Sequence, residues 1–489
     1  MPVLRLLRAA RLVAALSLAT ALAPVAAHAQ PPSTLVIGLS GDITSLDPHF
    51  HNVTPNSNVA EHMFETLIAK DDKMRLKPGL AVSWKAVSDT LWEIKLRPGV
   101  HFHDGSEFTS ADVVYSLARP ATIKNSPSPF TIYTRGFKEV TAVDKLTVRI
   151  TTNGPYPLVP NDLSTLDMVS KKAAEKAGPE DFNNGRALIG TGPYKFVSFA
   201  KGDRVELARF DGYWGKKPQW DHVTLRILTA DAPRVAALLA GDVQVIENVP
   251  TSDVKRLATD SSVSLFKMPV FRMMYLHMDS ARDASPFVTD RAGRPLAKNP
   301  FKDVRVRQAI SLAISRQAIV DRVMEGSAEP TGQLVNSALF GHVPGLKAPT
   351  ADVAAAKKLL AEAGYPDGFG VTLHATNNRY VNDDRVAQVV AAMLSRVGIA
   401  TKVEAMPSAT FFTRANKLEF SFLLAGWGAD TGEASSSLKA LLATYDPARG
   451  WGASNRGRYS NPALDAKLAE ALQTIDDAKR DKLLQDATE

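Results

Sequence analysis

The sequence predicts an α/β fold with a partly parallel sheet in its C-terminal half. Two observations carry this. From Asp303 to about Ala425, helical and strand patterns alternate, the order that builds parallel strands joined by helices. Before that, short strands of alternating polarity are separated by turn residues, as at 91–96 and 146–150, which reads as hairpin-like pairing.

Leu35 to Leu39 is a short apolar strand, followed by a turn-rich loop from Asp42 to Pro48. Asn58 to Leu67 reads as a helix, with Val59, Met63, Phe64 and Leu67 on one face. Leu91 to Leu96 is a strand with one buried face, broken by Arg97-Pro98-Gly99. His103-Asp104-Gly105 is a tight turn, and Thr109 is placed to cap a helix over Ala111 to Ala118. Tyr194 to Phe199 and Arg204 to Ala208 pair around a Lys201-Gly202-Asp203 turn. Val223 to Leu228 is a strand, Asp231 to Leu239 a helix ended by Gly241, and Val243 to Ile246 the strand after it. Asp303 caps a helix whose buried stripe is Val306, Ile310, Ala313, Ile314 and Ile319. A second helix runs from about Asp352 to Ala363, where Gly364 stops it. A third runs from Asp383 to Val397, stopped by Gly398. Val371 to His374, Ile399 to Ala405 and Phe420 to Ala425 are the strands between and after them.

At 489 residues the chain is long enough for about three domains or lobes. Its 45% hydrophobic and 22% charged content is that of a folded globular protein, and it has no cysteine. Arg5, Arg8 and Arg11 precede an apolar run from Leu12 to Leu22, and Ala27-His28-Ala29 gives a small-x-small cleavage pattern. That is the layout of a secretory signal peptide. With Gln30 rather than Cys after the cleavage site, a free periplasmic protein without a lipid anchor is expected. Three of the arginines behind the formal charge of +7 lie in this leader, and the other charges are interspersed, so no nucleic-acid partner is expected.

Catalytic constellations are scarce. No HExxH, Walker, GxGxxG or GxSxG pattern occurs. Ser252-Asp-Val-Lys255 and Ser436-Ser-Leu-Lys439 match S-x-x-K, the remnant of a serine-hydrolase reading. His49 with His51, and His101 with His103, are spaced to share a strand face, but a third ligand is not evident. No enzyme activity, metal or cofactor is expected.

Residues 76 to 117 form a recognisable block. Leu76-Lys-Pro-Gly-Leu-Ala-Val-Ser-Trp84 leads to Trp92-Glu-Ile-Lys-Leu-Arg97, then Gly99-Val-His-Phe-His-Asp-Gly105 and Phe108-Thr-Ser-Ala-Asp-Val-Val-Tyr-Ser116. Further motifs follow in order: Gly190-Thr-Gly-Pro-Tyr194, Phe301-Lys-Asp-Val-Arg-Val-Arg-Gln-Ala309, Ala363-Gly-Tyr-Pro366 and Gly426-Trp-Gly-Ala-Asp430. The chain resembles the extracellular solute-binding proteins of the peptide/nickel/opine class, which serve ATP-binding-cassette (ABC) importers.

The resemblance implies a two-lobed periplasmic clamp with an additional inserted domain. After the signal peptide (1–29), domain I would comprise 30–74 and 190–282, domain II the insertion 75–189, and domain III the lobe 283–489. Family members normally continue beyond the stretch at 462–487, so truncation near Glu489 is an expectation. The ligand would be a small peptide held between lobes, delivered by a monomer to the inner-membrane permease. A nickel chelate, an opine, glutathione or a sugar stays open as the alternative.

Six residues carry the expected site. By the resemblance, Asp430 meets a peptide α-ammonium and Arg379 a peptide carboxylate. Asp430 also lies just past a strand, where open α/β sheets bind ligands. Trp427 and Gly426 shape the wall. Asn52 and Thr54 lie where relatives offer hydrogen bonds to an extended peptide.

Overall fold

The computed structural model describes residues 33–429 and 431–489. The leader and Asp430 lie outside the described residues. No described helix is long and apolar enough to cross a membrane.

Thr34–Leu39 is the strand from which the first sheet grows. It runs parallel to His222–Ile227 on one side and to Val245–Ile246 on the other. Arg204–Arg209 and Tyr194–Ala200 extend the sheet antiparallel. Leu39, Val205, Leu207, Val223 and Leu225 bury their side chains against Ile43, Met63, Phe64 and Phe182. The helix read at 58–67 forms earlier, as Thr54–Ala60, because Pro55 presets its first turn. Glu65–Thr66 then leaves as a strand that pairs with Asp167–Met168.

The chain between the first strand and Tyr194 includes a four-stranded antiparallel sheet, in the order Ala81–Ser88, Leu91–Leu96, Thr147–Thr152, Phe137–Asp144. Its inner face joins Trp92, Ile94, Val148 and Ile150 to Phe102, Phe108 and Val113. Thr109 caps the helix Ser110–Ala118 as read, and its amide donates to the Asp112 carboxylate at 3.0 Å.

The second sheet holds the parallel strands. Gly370–Thr376 runs parallel to Ala400–Met406 and to Phe422–Gly428. Helices Val304–Ala313, Val353–Glu362 and Asp383–Ser395 pack on it through Val306, Ile310, Leu360, Val390 and Leu394. The helix expected from 303 to 319 breaks after Ala313. Ile314 turns extended, and the Ser315 hydroxyl caps a new helix, Arg316–Arg322, by accepting from the Ala318 amide.

One boundary moves. Residues 272–278, expected within the second part of domain I, form the strand Arg272–Met278, which pairs antiparallel with Phe422–Gly428 over all seven residues. Its Met274, Leu276 and Met278 lie against the second core. The passage from first to second sheet therefore precedes Arg272 rather than residue 282.

Candidate functional site

The strands Gly370–Thr376 and Phe422–Gly428 end side by side; Arg379 lies in the loop after the first, and Gly426 and Trp427 are among the last residues of the second. The first loop is pinned by Asp383, which is 3% exposed. Its carboxylate accepts from the Thr376 hydroxyl at 2.5 Å and from the Arg379 and Tyr380 amides at 3.1 Å each. Three donors on one buried carboxylate fix the loop's backbone. They leave the Arg379 side chain exposed.

Tyr380 turns back across the sheet. Its hydroxyl donates to the Gly426 carbonyl at 3.1 Å. Gly426 must lack a side chain, because a Cβ there would lie 2.8 Å from both the Met274 Sδ and the Tyr380 ring. Two guanidinium groups attend that ring: Arg379 at 5.7 Å and Arg272 at 5.9 Å from its centroid. Neither forms an ion pair with a described carboxylate, while Arg282 and Arg305 each close on one and Arg414 on two. Trp427 lies opposite Met273, and its Nε1 is buried without a hydrogen-bond partner among the described residues.

Both loops touch other parts of the chain. Asn382, held at φ 55°, donates from Nδ2 to the Thr251 hydroxyl at 2.8 Å, at the start of the helix Thr251–Ala258. From the insertion, Asn161 donates to the Thr431 carbonyl at 2.7 Å. The loops after these strands therefore touch both the helix Thr251–Ala258 and the segment around Asn161.

Beneath the loop after Trp427, Glu433 is buried with Arg480 as its ion-pair partner. Nearby, burial pushes the Asp162 carboxyl up to about 8, with the Tyr156 hydroxyl donating to it at 2.6 Å. Burial also lowers the Lys439 ammonium below its usual value.

The structure brings Arg379 and Gly426 together at the Tyr380 ring, while strand alternation turns Trp427 to the opposite face, beside Met273. Asp430, three residues beyond Trp427, is outside the described residues. Asn52 is engaged elsewhere: its amide donates to the Ser128 carbonyl at 3.0 Å and its Nδ2 to the Tyr133 hydroxyl at 3.1 Å. Thr54 is the exposed first residue of its helix. No hydrogen bond, ion pair or ring contact among the described residues joins Asn52 or Thr54 to the Tyr380 group. Sequence reasoning missed Arg272, Tyr380 and Asn161. Arg272 gives no local signal, because only long-range pairing sets it beside Gly428.

Other candidates resolve into structural roles. His103 bridges to the Gly192 carbonyl at 2.9 Å and receives the Gly190 amide at 3.3 Å, so the turn is tied to the Gly190-Thr-Gly-Pro193 bend. Burial lowers its imidazole to about 4. His49 bonds the Asp167 carbonyl at 2.8 Å. The Ser436 hydroxyl donates to the Glu433 carbonyl rather than to Lys439, and Lys255 pairs with Glu325. A cavity of about 230 Å³ lies apart from the Tyr380 group, lined by Ile37, Leu39, Asn58, Glu61, His62, Leu225 and Glu247.

The profile of the bacterial extracellular solute-binding proteins, family 5, matches residues 75–448. The glutathione-binding protein GsiB of Pectobacterium atrosepticum is 33% identical over 467 residues, 92% of this chain and 85% of that one. HbpA2 from Haemophilus parasuis superposes with a TM-score of 0.77 at 26% identity, covering 93% of this chain and 91% of its own. DppA from Helicobacter pylori, solved with the peptide STSA, gives 0.75 at 24% identity, over 93% and 89%.

Proposed function

This chain belongs to the bacterial extracellular solute-binding proteins of family 5, and we propose that its ligand is a small peptide with a free amine and at least one free carboxylate. It is the substrate-binding component of an ABC importer. The observation that carries the peptide reading is Arg379: an exposed guanidinium without an ion pair among the described residues, on a loop pinned by three hydrogen bonds at the carboxyl ends of parallel strands. A planar fork so held suits a carboxylate. Asp430, in Gly426-Trp-Gly-Ala-Asp430, is the complementary group for the ammonium.

Glutathione is the first ligand to test, because relatives at 30–33% identity bear the name of glutathione-binding proteins. It is itself a tripeptide, with one amine and two carboxylates. The ligand favours closure only through contacts that both sides of the cleft make at once. We further propose that the chain is exported through its leader, is cleaved before Gln30, remains free in the periplasm as a monomer, and catalyses no reaction. In the same proposal the domains correspond to the three larger sheets, with the first passage to domain III before Arg272.

Calorimetry with glutathione and with free-amine dipeptides and tripeptides tests this reading. Saturable binding to at least one is expected. Heats of dilution alone across the panel, together with a sugar or a metal chelate retained in native mass spectrometry of the purified periplasmic protein, overturn it.

A further inference from the structure

We propose that Arg272 is a second anionic anchor of the same site, so that the preferred ligand is a peptide carrying two carboxylates. The inference rests on the peptide reading of Arg379 and extends it.

The geometry begins with register. Arg272 opens its strand opposite Gly428, and Met274 lies opposite Gly426. Alternate residues of a strand share a face. Arg272 and Met274 therefore lie on the face where Tyr380 covers Gly426, since a Cβ on Gly426 would meet both Met274 and Tyr380. The Tyr380 ring is fixed at its tip by the Gly426 carbonyl and at its backbone by Asp383. It holds the Arg272 and Arg379 guanidiniums around one fixed aromatic post.

Two like charges gathered on one ring repel. Each gains some cation–π attraction, but neither gains a carboxylate among the described residues. Elsewhere the fold pairs such arginines: Arg305 closes on Asp303 and Arg294 on Asp290. Two exposed forks on one rigid support, each suited to a bidentate carboxylate, match a dianion better than a monoanion. A ligand with two carboxylates relieves the repulsion and occupies both forks. A peptide with one carboxylate leaves one fork empty. Arg272 is thus a specificity-determining residue, separating dicarboxylate peptides from ordinary ones.

The test is calorimetry on the full chain with glutathione and two analogues. One is the glycyl ethyl ester, and the other lacks the glutamyl α-carboxylate. Wild type, Arg272→Gln and Arg379→Gln are compared, with melting curves as a folding control. Arg272→Gln is expected to weaken glutathione about tenfold to a hundredfold, the worth of a charge-assisted hydrogen bond. It should leave unchanged the affinity of the analogue that lacks the carboxylate Arg272 holds. Arg379→Gln should show the reverse preference. If Arg272→Gln binds glutathione as wild type does, or weakens both analogues equally, the two-carboxylate assignment is overturned while peptide binding stands. If wild type prefers single-carboxylate tripeptides to glutathione, it is likewise overturned. If wild type binds no peptide at all, the underlying peptide reading fails with it.

Discussion

Tyr380 reaches across the strand ends to donate its hydroxyl to the Gly426 carbonyl at 3.1 Å, and the absence of a side chain on Gly426 makes the approach sterically open. Loop and strand are therefore one unit, and the position of Arg379 depends on a residue 47 positions later in the chain. Gly426→Ala puts a methyl group 2.8 Å from the Tyr380 ring and from the Met274 sulfur. The expected cost is about 1–3 kcal/mol, typical of overpacking, with peptide affinity falling alongside the melting temperature. Tyr380→Phe keeps the ring and removes one hydrogen bond, so a loss of about 1 kcal/mol is expected. An alanine variant with wild-type stability and affinity would contradict the coupling.

Asp430 carries the amine half of the proposed recognition. Asp430→Ala should sharply weaken binding of free-amine peptides and leave N-acetylated peptides unaffected. Its melting temperature should match wild type. Equal affinities of wild type and variant for a free-amine peptide would remove Asp430 from the site.

The insertion is joined to the first part of the chain by a buried bidentate ion pair. Arg119 donates from both terminal nitrogens to the two oxygens of Asp47, at 2.7 Å each, with side chains 3% and 0% exposed. Arg119 also lies over the Phe182 ring at 4.5 Å. Removing one partner strands the other charge in a dry interior. Arg119→Ala should therefore destabilise the fold by about 3–5 kcal/mol. Asp47→Ala should do comparable damage, and the double variant less than the sum. Chemical denaturation of the four proteins reads this directly, and strictly additive losses would argue against the pairing.

Helices of the second half were legible because their punctuation is local. Asp352 accepts from the Ala355 amide and Gly364 sits at φ 90°, as their types suggest. Strand order was less legible. Nothing near Arg272 in sequence reveals that its partner is Gly428, and that distant pairing is what adds Arg272–Met278 to the edge of the sheet. The same limit hid half of the site. Arg379, Gly426 and Trp427 came from motifs, whereas Arg272 and Asn161 reach the site only through tertiary contacts. Asn52 shows the converse: a plausible hydrogen-bonding residue whose side chain the insertion already uses through Tyr133.

Buried titratable groups give the stability a maximum near neutral pH. Burial raises the carboxyls of Asp162 and Asp167 to about 8. Both are protonated in the folded protein at neutral pH and ionised in the unfolded chain, so the native state holds more protons. From the ordinary carboxylate range up to about 8, their contribution to stability falls as pH rises. His49, His103 and His277 are lowered to about 4 from 6.5, chiefly by burial. They stay neutral in the fold while the unfolded chain protonates, so their contribution is lost as pH falls from 6.5 to about 4. Above 6.5 the three histidines no longer contribute, and the two aspartates lower stability toward pH 8. Asp162→Asn keeps an acceptor for the Tyr156 hydroxyl and removes one of the two titrations. Its melting temperature should therefore fall less steeply over that interval than that of wild type. A wild-type melting temperature that rises from pH 6.5 to 8 would contradict the retention of these protons in the fold.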